Sequence, residues 1–300
     1  MTHLNKFNIP SVAVIGSGYW GKNLVRNFHQ LGALRIICDK NESILPTLHN
    51  DYPNIEIVTE LDEVLKRDNI QGTVISTPAE THYHFTKKAL LSGKHVFVEK
   101  PLALTESEGK ELVEISEKNQ LALMVGHILH YHSAVLKLKD MINNGDLGKL
   151  QYIYSNRLNI GKIRTEENIL WSFAPHDISA ILMLLDEFPS TIRSWGGNWL
   201  QPHLEDVTMT TLDFPSGVKG HIFVSWLHPF KEQKLIVVGD KKMAVFDDVS
   251  EEKLFLYSHT IEWQHRQPVA VKSSPEKVSL TLTEPLKAEC QHFLDCICYI

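Results

Sequence analysis

The sequence predicts two consecutive domains: an α/β domain built on a doubly wound parallel sheet over residues 1–126, then an α+β domain with a large open, mainly antiparallel sheet over residues 127–300. Three observations predict them. Residues 11–126 alternate short β-branched runs with helical patterns, the signature of repeated βαβ units. After Gly126, longer alternating runs joined by tight turns take over, as antiparallel sheets read. A chain of 300 residues with 43% apolar content has material for two cores rather than one.

In the first domain the expected strands are 11–15, 34–38, 55–58, 73–76, 95–98 and 121–125. Between the first two lies a helix with Leu24, Phe28 and Leu31 on one face, and Gly32 stands where a left-handed C-terminal cap needs it. Thr105-Glu106-Ser107-Glu108 reads as a capping box opening the helix before the sixth strand. In the second domain, strands are expected at 149–157, 207–214, 218–226, 234–238 and 254–257. Hairpin-like turns fall at Pro215-Ser216-Gly217 and Gly239-Asp240-Lys241-Lys242, and helices at 133–142 and 171–185 pack on the sheet. A final helix starting near Glu284-Pro285 is still in apolar stride at Phe293, Cys296, Ile297 and Ile300, from which a continuation of the natural chain is expected.

Composition narrows the function classes. Thirty Lys and Arg against 36 Asp and Glu give a net charge of -6, and no run of like charge stands out, so neither nucleic acid nor a membrane surface is an expected partner. No apolar stretch approaches the roughly 20 residues of a bilayer span, and no signal-peptide block follows Met1, so a soluble cytoplasmic protein is expected. Cys38, Cys290, Cys296 and Cys298 form neither a disulfide framework nor paired zinc spacing. The histidine groups His127, His130, His132 and His82, His84 do not show the rigid spacing with converging acidic or cysteine partners that zinc sites prefer, so no metal is expected.

The chemistry begins at Gly16-Ser17-Gly18-Tyr19-Trp20-Gly21. This G-x-G-x-x-G element directly follows the apolar strand 12–15 and directly precedes an amphipathic helix, the context that turns a weak motif into a dinucleotide-binding Rossmann fingerprint. Gly16 permits the sharp turn, Gly18 lets backbone approach a pyrophosphate, and Gly21 lets the helix sit against the strand with its amides facing the anion. Asp39 ends the second strand about 20 residues on, where a carboxylate accepts from both ribose hydroxyls and repels a 2′-phosphate. NAD is therefore the expected cofactor, although Arg35 and Lys40 nearby leave NADP open. Two further turns, Thr77-Pro78 with His82 and Glu99-Lys100-Pro101, lie at carboxyl ends of parallel strands, the edge at which open α/β sheets bind ligands.

Gly16-x-Gly18-x-x-Gly21, Thr77-Pro78 with His82, and the run from Gly93 to Pro101 ending Glu99-Lys100-Pro101 stand together in the order of one family. The chain resembles the glucose-fructose oxidoreductase, inositol dehydrogenase and MocA (Gfo/Idh/MocA) family over essentially its whole length. That resemblance implies that Lys100 sits beside the hydroxyl being oxidised, orients substrate and assists proton transfer. It also implies a second catalytic signature, Asp-x-x-x-His opening a helix of the second domain, matched here by Ser172-Phe173-Ala174-Pro175-His176. His176 is kept and serine replaces the aspartate. Oxidation of a secondary alcohol needs a group to take the hydroxyl proton, and histidine titrates in the right range, so His176 is the candidate general base. Asp177 is its sequence neighbour.

Residues 156–162 lead from a strand toward the His176 helix, and Arg157, Asn159 and Lys162 there, with Trp171 and Asp177, are the candidate substrate contacts; arginine offers bidentate donors to carboxylate or phosphate. Residues 156–162, 171–177 and 225–231 resemble the branch of the family that oxidises nucleotide-activated sugars at C3 in surface-polysaccharide pathways. The implied substrate is a uridine-diphosphate N-acetylglucosaminuronate or close relative, and the implied assembly a homodimer or homotetramer joined through the open sheet. Alternatives are an inositol or free-sugar dehydrogenase, a ketoreductase using the same residues in reverse, and an NAD-binding relative without catalysis, which the Ser172 departure motivates.

Overall fold

A computed structural model describes residues 9–161, 163–165, 167–281 and 283–300. By contacts the chain divides into two compact units, the described residues up to Ile128 together with Glu284–Ile300, and Leu129–Thr283.

The first unit is built on β1 (Val12–Ile15), α1 (Gly21–Gln30), β2 (Leu34–Cys38), α2 (Leu45–Asp51), β3 (Glu56–Val58), α3 (Leu61–Leu65), β4 (Gly72–Ile75), α4 (Ala79–Leu91), β5 (His95–Glu99), α5 (Glu106–Lys118) and β6 (Leu123–Gly126). Its six parallel strands run in the order β3-β2-β1-β4-β5-β6, so the chain reverses direction of travel between β1 and β4. Strand alternation decides the packing. Val12 and Val14 enter one core with Leu24, Phe28 and Phe97, while Ala13 and Ile15 enter the other with Ile75, Leu90 and Leu112. Gly32 takes φ +72° at the end of α1, and Thr105 and Glu108 exchange the two bonds of a capping box at α5.

The second unit carries α6 (Ser133–Asn143), β7 (Leu150–Leu158), α7 (Ile169–Leu185), β8 (Thr191–Gly197), β9 (Val207–Asp213), β10 (Lys219–Ser225), β11 (Glu232–Gly239), β12 (Met243–Asp247), β13 (Leu254–Tyr257), β14 (Thr260–Gln264), β15 (Gln267–Val271) and β16 (Glu276–Lys277). Eight strands form one mixed sheet, β16-β13-β12-β11-β7-β10-β9-β8, antiparallel throughout except that β7 and β10 run parallel. Sheet residues such as Ile153, Ile222 and Val237 share a core with Leu138 of α6 and Ile181 and Leu184 of α7. β14 and β15 form a separate exposed hairpin.

The closing helix α8 (Pro285–Tyr299) departs from the sequence reading, which ran the second domain to residue 300. Its apolar stripe is satisfied by the first unit, where Phe293 meets Phe28 and Phe97 edge-on at centroid distances of 6.3 and 5.8 Å. A Cβ on Gly72 of β4 would lie 2.9 Å from the end of the Ile297 side chain and 3.1 Å from the Phe293 ring, so α8 packs tightly over the sheet at this glycine.

Candidate active site

At the carboxyl end of β1 the chain turns sharply with Gly16 at φ +89°. A Cβ on Gly21 would lie 2.1 Å from the Gly16 carbonyl oxygen, so only glycine lets α1 start this close to the strand, whereas Gly18 has nothing within 4 Å. The result is an open backbone cradle at a helix start whose Trp20 side chain does not cap it. Tyr19 beside it is 90% exposed, with the Lys22 ammonium over its ring.

Asp39 closes the cradle from β2. Its Oδ2 accepts from the Ser17 amide at 2.6 Å and the Ser17 hydroxyl at 2.7 Å, and Oδ1 accepts from the Asn41 amide at 2.9 Å. A cavity of about 350 Å³ opens here, lined by Gly16, Gly18, Asp39, Lys40, Pro78 and Phe85 among others. The cradle and carboxylate fit NAD: Gly16, Gly18 and Gly21 would hold the pyrophosphate and Asp39 the adenosine ribose, with apolar walls for the base. Arg35 has no place in this wall, since its guanidinium donates to the Gly32 and Leu34 carbonyls; Lys40 does line the cavity. Replacing Asp39 with serine is expected to raise the KM for NAD about tenfold and narrow the preference over NADP, as loss of charge-assisted hydrogen bonds dictates; steady-state kinetics with both cofactors read this directly.

Thr77 and Pro78 follow β4, and their turn is tied to the next one by a buried side chain. His82 is 1% exposed, its Nδ1 2.6 Å from the Pro101 carbonyl and its Nε2 2.8 Å from the Thr77 carbonyl. The sequence reading gave His82 to the cofactor; with both ring nitrogens committed to backbone, it instead locks the Thr77-Pro78 turn to the Glu99-Lys100-Pro101 turn.

Glu99 ends β5 and Lys100, half-buried, follows it. The Trp20 indole donates to Glu99 Oε1 at 2.5 Å, linking glycine turn to lysine turn. Burial pushes the Glu99 carboxyl up to about 7, against the lowering pull of Trp20 and Lys100. Behind it stands a residue that sequence reasoning missed. Glu289 of α8 is 1% exposed, and burial, reinforced by the Glu99 charge, pushes it up to about 9 despite a hydrogen bond with the His127 backbone. Gly126 makes room for this acidic pocket, because a Cβ there would lie 3.0 Å from Glu99 Oε2.

In the second unit, α7 is capped by Asn168, whose side chain accepts from the Trp171 amide at 3.1 Å and donates to Glu205 at 3.0 Å. His176 sits in its second turn directly after Pro175, with Ser172 buried one turn before. Trp171 is 42% exposed on the first turn, available to a ligand. The Asn159 backbone is pinned to the Ser225 carbonyl at the end of β7.

Arg157 and Asp177 were both read as substrate contacts, and both are instead spent on each other. Arg157 Nε donates to Asp177 Oδ2 at 2.8 Å and its Nη2 to Oδ1 at 3.3 Å, with side-chain exposures of 11% and 4%. Residues at these positions meet because β7 lies under α7, which no sequence spacing announces. Lys162 lies outside the described residues. Among the described residues no three His, Cys, Asp or Glu side chains converge to hold a metal ion, and no helix is long and apolar enough to cross a membrane.

Two family models match the chain. Residues 11–127 match an oxidoreductase family with an NAD-binding Rossmann fold, and residues 135–245 match the GFO/IDH/MocA C-terminal domain. An uncharacterised oxidoreductase of Streptococcus pneumoniae is 29% identical over 62% of this chain and 53% of its own, and a 2,7-anhydro-N-acetylneuraminate hydratase of Mediterraneibacter gnavus 26% identical over 62% and 52%. The chain thus spans about half the length of these curated relatives. Among solved structures, UDP-N-acetylglucosamine 3-dehydrogenase from Acidithiobacillus ferrooxidans superposes with a TM-score of 0.82 at 21% identity, over 96% of this chain and 88% of that one, a likeness of fold.

Proposed function

Because the chain belongs to the GFO/IDH/MocA family of NAD-binding oxidoreductases, we propose that it oxidises a ring secondary alcohol of a sugar, specifically C3 of a UDP-N-acetylglucosaminuronate-type nucleotide sugar. The observation that carries the reading is the gathering, at the carboxyl edge of one parallel sheet, of an open dinucleotide cradle and the Glu99-Lys100 turn tied to it through Trp20. Bound there, NAD would supply the acceptor for the carbinol hydride.

Two side chains carry the rest of the chemistry. Lys100 orients the hydroxyl by donating a hydrogen bond to its oxygen and stabilises negative charge as the proton leaves. His176 takes that proton at a ring nitrogen; in the reverse direction it returns it, and relative concentrations decide which way the reaction runs. Trp171 offers a flat apolar surface against which a sugar or base packs. The nucleotide-sugar assignment draws on the resemblance of residues 156–162, 171–177 and 225–231 and on the fold shared with a UDP-N-acetylglucosamine 3-dehydrogenase. The homodimer or homotetramer would cover the sheet face that carries the stacked Tyr154 and His221 rings.

The nucleotide assignment is tested by comparing UDP-sugars with the same sugars lacking the diphosphate. Turnover of UDP-sugars that is competitively inhibited by UDP supports it. Equal kcat/KM for the free sugars replaces it with a free-sugar or polyol dehydrogenase.

A further inference from the structure

Helix α7 poses a packing problem that its apolar residues cannot solve. Apart from Ser172, His176, Asp177 and Ser179, every side chain from Ile169 to Leu185 is apolar or proline, so hydrophobicity runs round the helix rather than along one stripe. Such a helix is held firmly in a core, but its rotation about its own axis is weakly specified. Pro175 loosens the same stretch further, since it has no amide to donate to the Trp171 carbonyl. The turn that carries His176 is therefore the part of α7 with least intrinsic definition.

One polar network defines it. Asp177, the next residue, accepts from Arg157 through two nitrogens and from the Ser155 hydroxyl at 2.5 Å, both donors standing on β7. The network continues sideways: with its amide oriented to pair, Gln233 of β11 accepts from Arg157 Nη1 at 3.2 Å and donates to Asp248 Oδ2 at 3.3 Å. A fork of fixed guanidinium geometry on a sheet strand thus grips a carboxylate on the helix, and only one rotation and height of α7 satisfies it. Buried ion pairs are often matched or bettered in stability by apolar replacements, so the retention of one in this core calls for a role in specification.

We infer that Arg157 is a positioning residue for His176, acting through Asp177 to fix the rotation of α7 and so the direction in which the imidazole points. The inference rests on the reading of His176 as the general base, and its test separates the two. The informative protein is the double variant Arg157→Met, Asp177→Leu, which removes the polar pair without leaving either charge buried alone and so keeps the fold. It is measured beside Asp177→Asn and His176→Asn.

With the thermal midpoint and NAD affinity of the double variant at or near the wild-type values, the expected result is a fall in kcat of about 10- to 100-fold, the scale of a misplaced catalytic group, with little change in the KM for NAD. Asp177→Asn, which keeps shape and one acceptor, should recover most of that loss. An NMR spectrum of histidine-labelled protein gives a second readout, with the His176 resonance, assigned by its absence in His176→Asn, broadened or doubled in the double variant. A folded double variant with wild-type kcat and a single sharp His176 resonance overturns the inference. If His176→Asn keeps full turnover, the base assignment falls instead, and the resonance alone decides whether Arg157 positions the ring.

Discussion

Lys100→Ala is expected to lower kcat by about 10³-fold, within the range for loss of a group acting on the transferred proton, while the affinity for NAD changes by no more than a few-fold. The split follows from the site. The pyrophosphate and ribose contacts proposed for Gly16, Gly18, Gly21 and Asp39 would not depend on the Lys100 side chain, whereas the Lys100 ammonium is assigned to the reacting hydroxyl. Cofactor titration followed by protein fluorescence, beside steady-state turnover, measures both numbers. A parallel loss of affinity and turnover would make Lys100 a cofactor ligand only.

Glu289→Gln is expected to stabilise the protein at pH 7, an uncommon direction for a buried substitution. The sign follows from linkage. A carboxyl raised from 4.5 to about 9 by folding binds a proton in the native state that the unfolded chain has released, so the stability it allows is fully present below about pH 4.5 and is lost as pH rises toward 9. By pH 7 that loss amounts to about 3 kcal/mol at one proton per molecule. Glutamine keeps the shape and an acceptor for the His127 amide without the titration. Denaturant unfolding at pH 5, 7 and 8.5 should show the wild type losing stability with pH and the variant losing distinctly less across the same range. A variant no more stable than wild type at pH 7 would mean that Glu289 is ionised and satisfied. Glu99, raised to about 7 by the same burial, titrates with Glu289 as a pair, so part of the slope between pH 5 and 8 stays in the variant.

What the sequence disclosed and what it hid have physical reasons. All six strands of the parallel sheet were legible, because buried parallel strands are continuous apolar runs separated by punctuating turns, and the glycine turn was legible because its backbone geometry requires glycine at Gly16 and Gly21, with Gly18 open between them. The strands β8, β12, β14, β15 and β16 were not anticipated. β8 is an edge strand, exposed along most of its length, so Thr191–Gly197 carries no alternation to read. The return of α8 to the first unit was hidden because an apolar stripe says only that a helix is covered, not by what. Glu289 was hidden for the converse reason, since a glutamate in an amphipathic helix ordinarily faces water. Arg157 and Asp177 were seen as charged residues near a candidate site and assigned to substrate. Their pairing depends on which strand lies beneath which helix, a fact of tertiary structure with no trace in a spacing of 20 residues. His82 was found by its motif, but its role was set by two carbonyls contributed from different loops.

Ser172, where the family resemblance leads one to expect an aspartate, lies buried one helical turn before His176. The measurement that bears most directly on the central claim is the reduction of NAD by the purified protein in the presence of a panel of UDP-sugars and free sugars, run with wild type, Lys100→Ala and His176→Asn. Turnover with at least one UDP-sugar by the wild type, and its loss in both variants, is the expected result. Absence of NAD reduction with every sugar, from a protein that still binds NAD, would contradict it and leave a dinucleotide-binding protein without dehydrogenase activity.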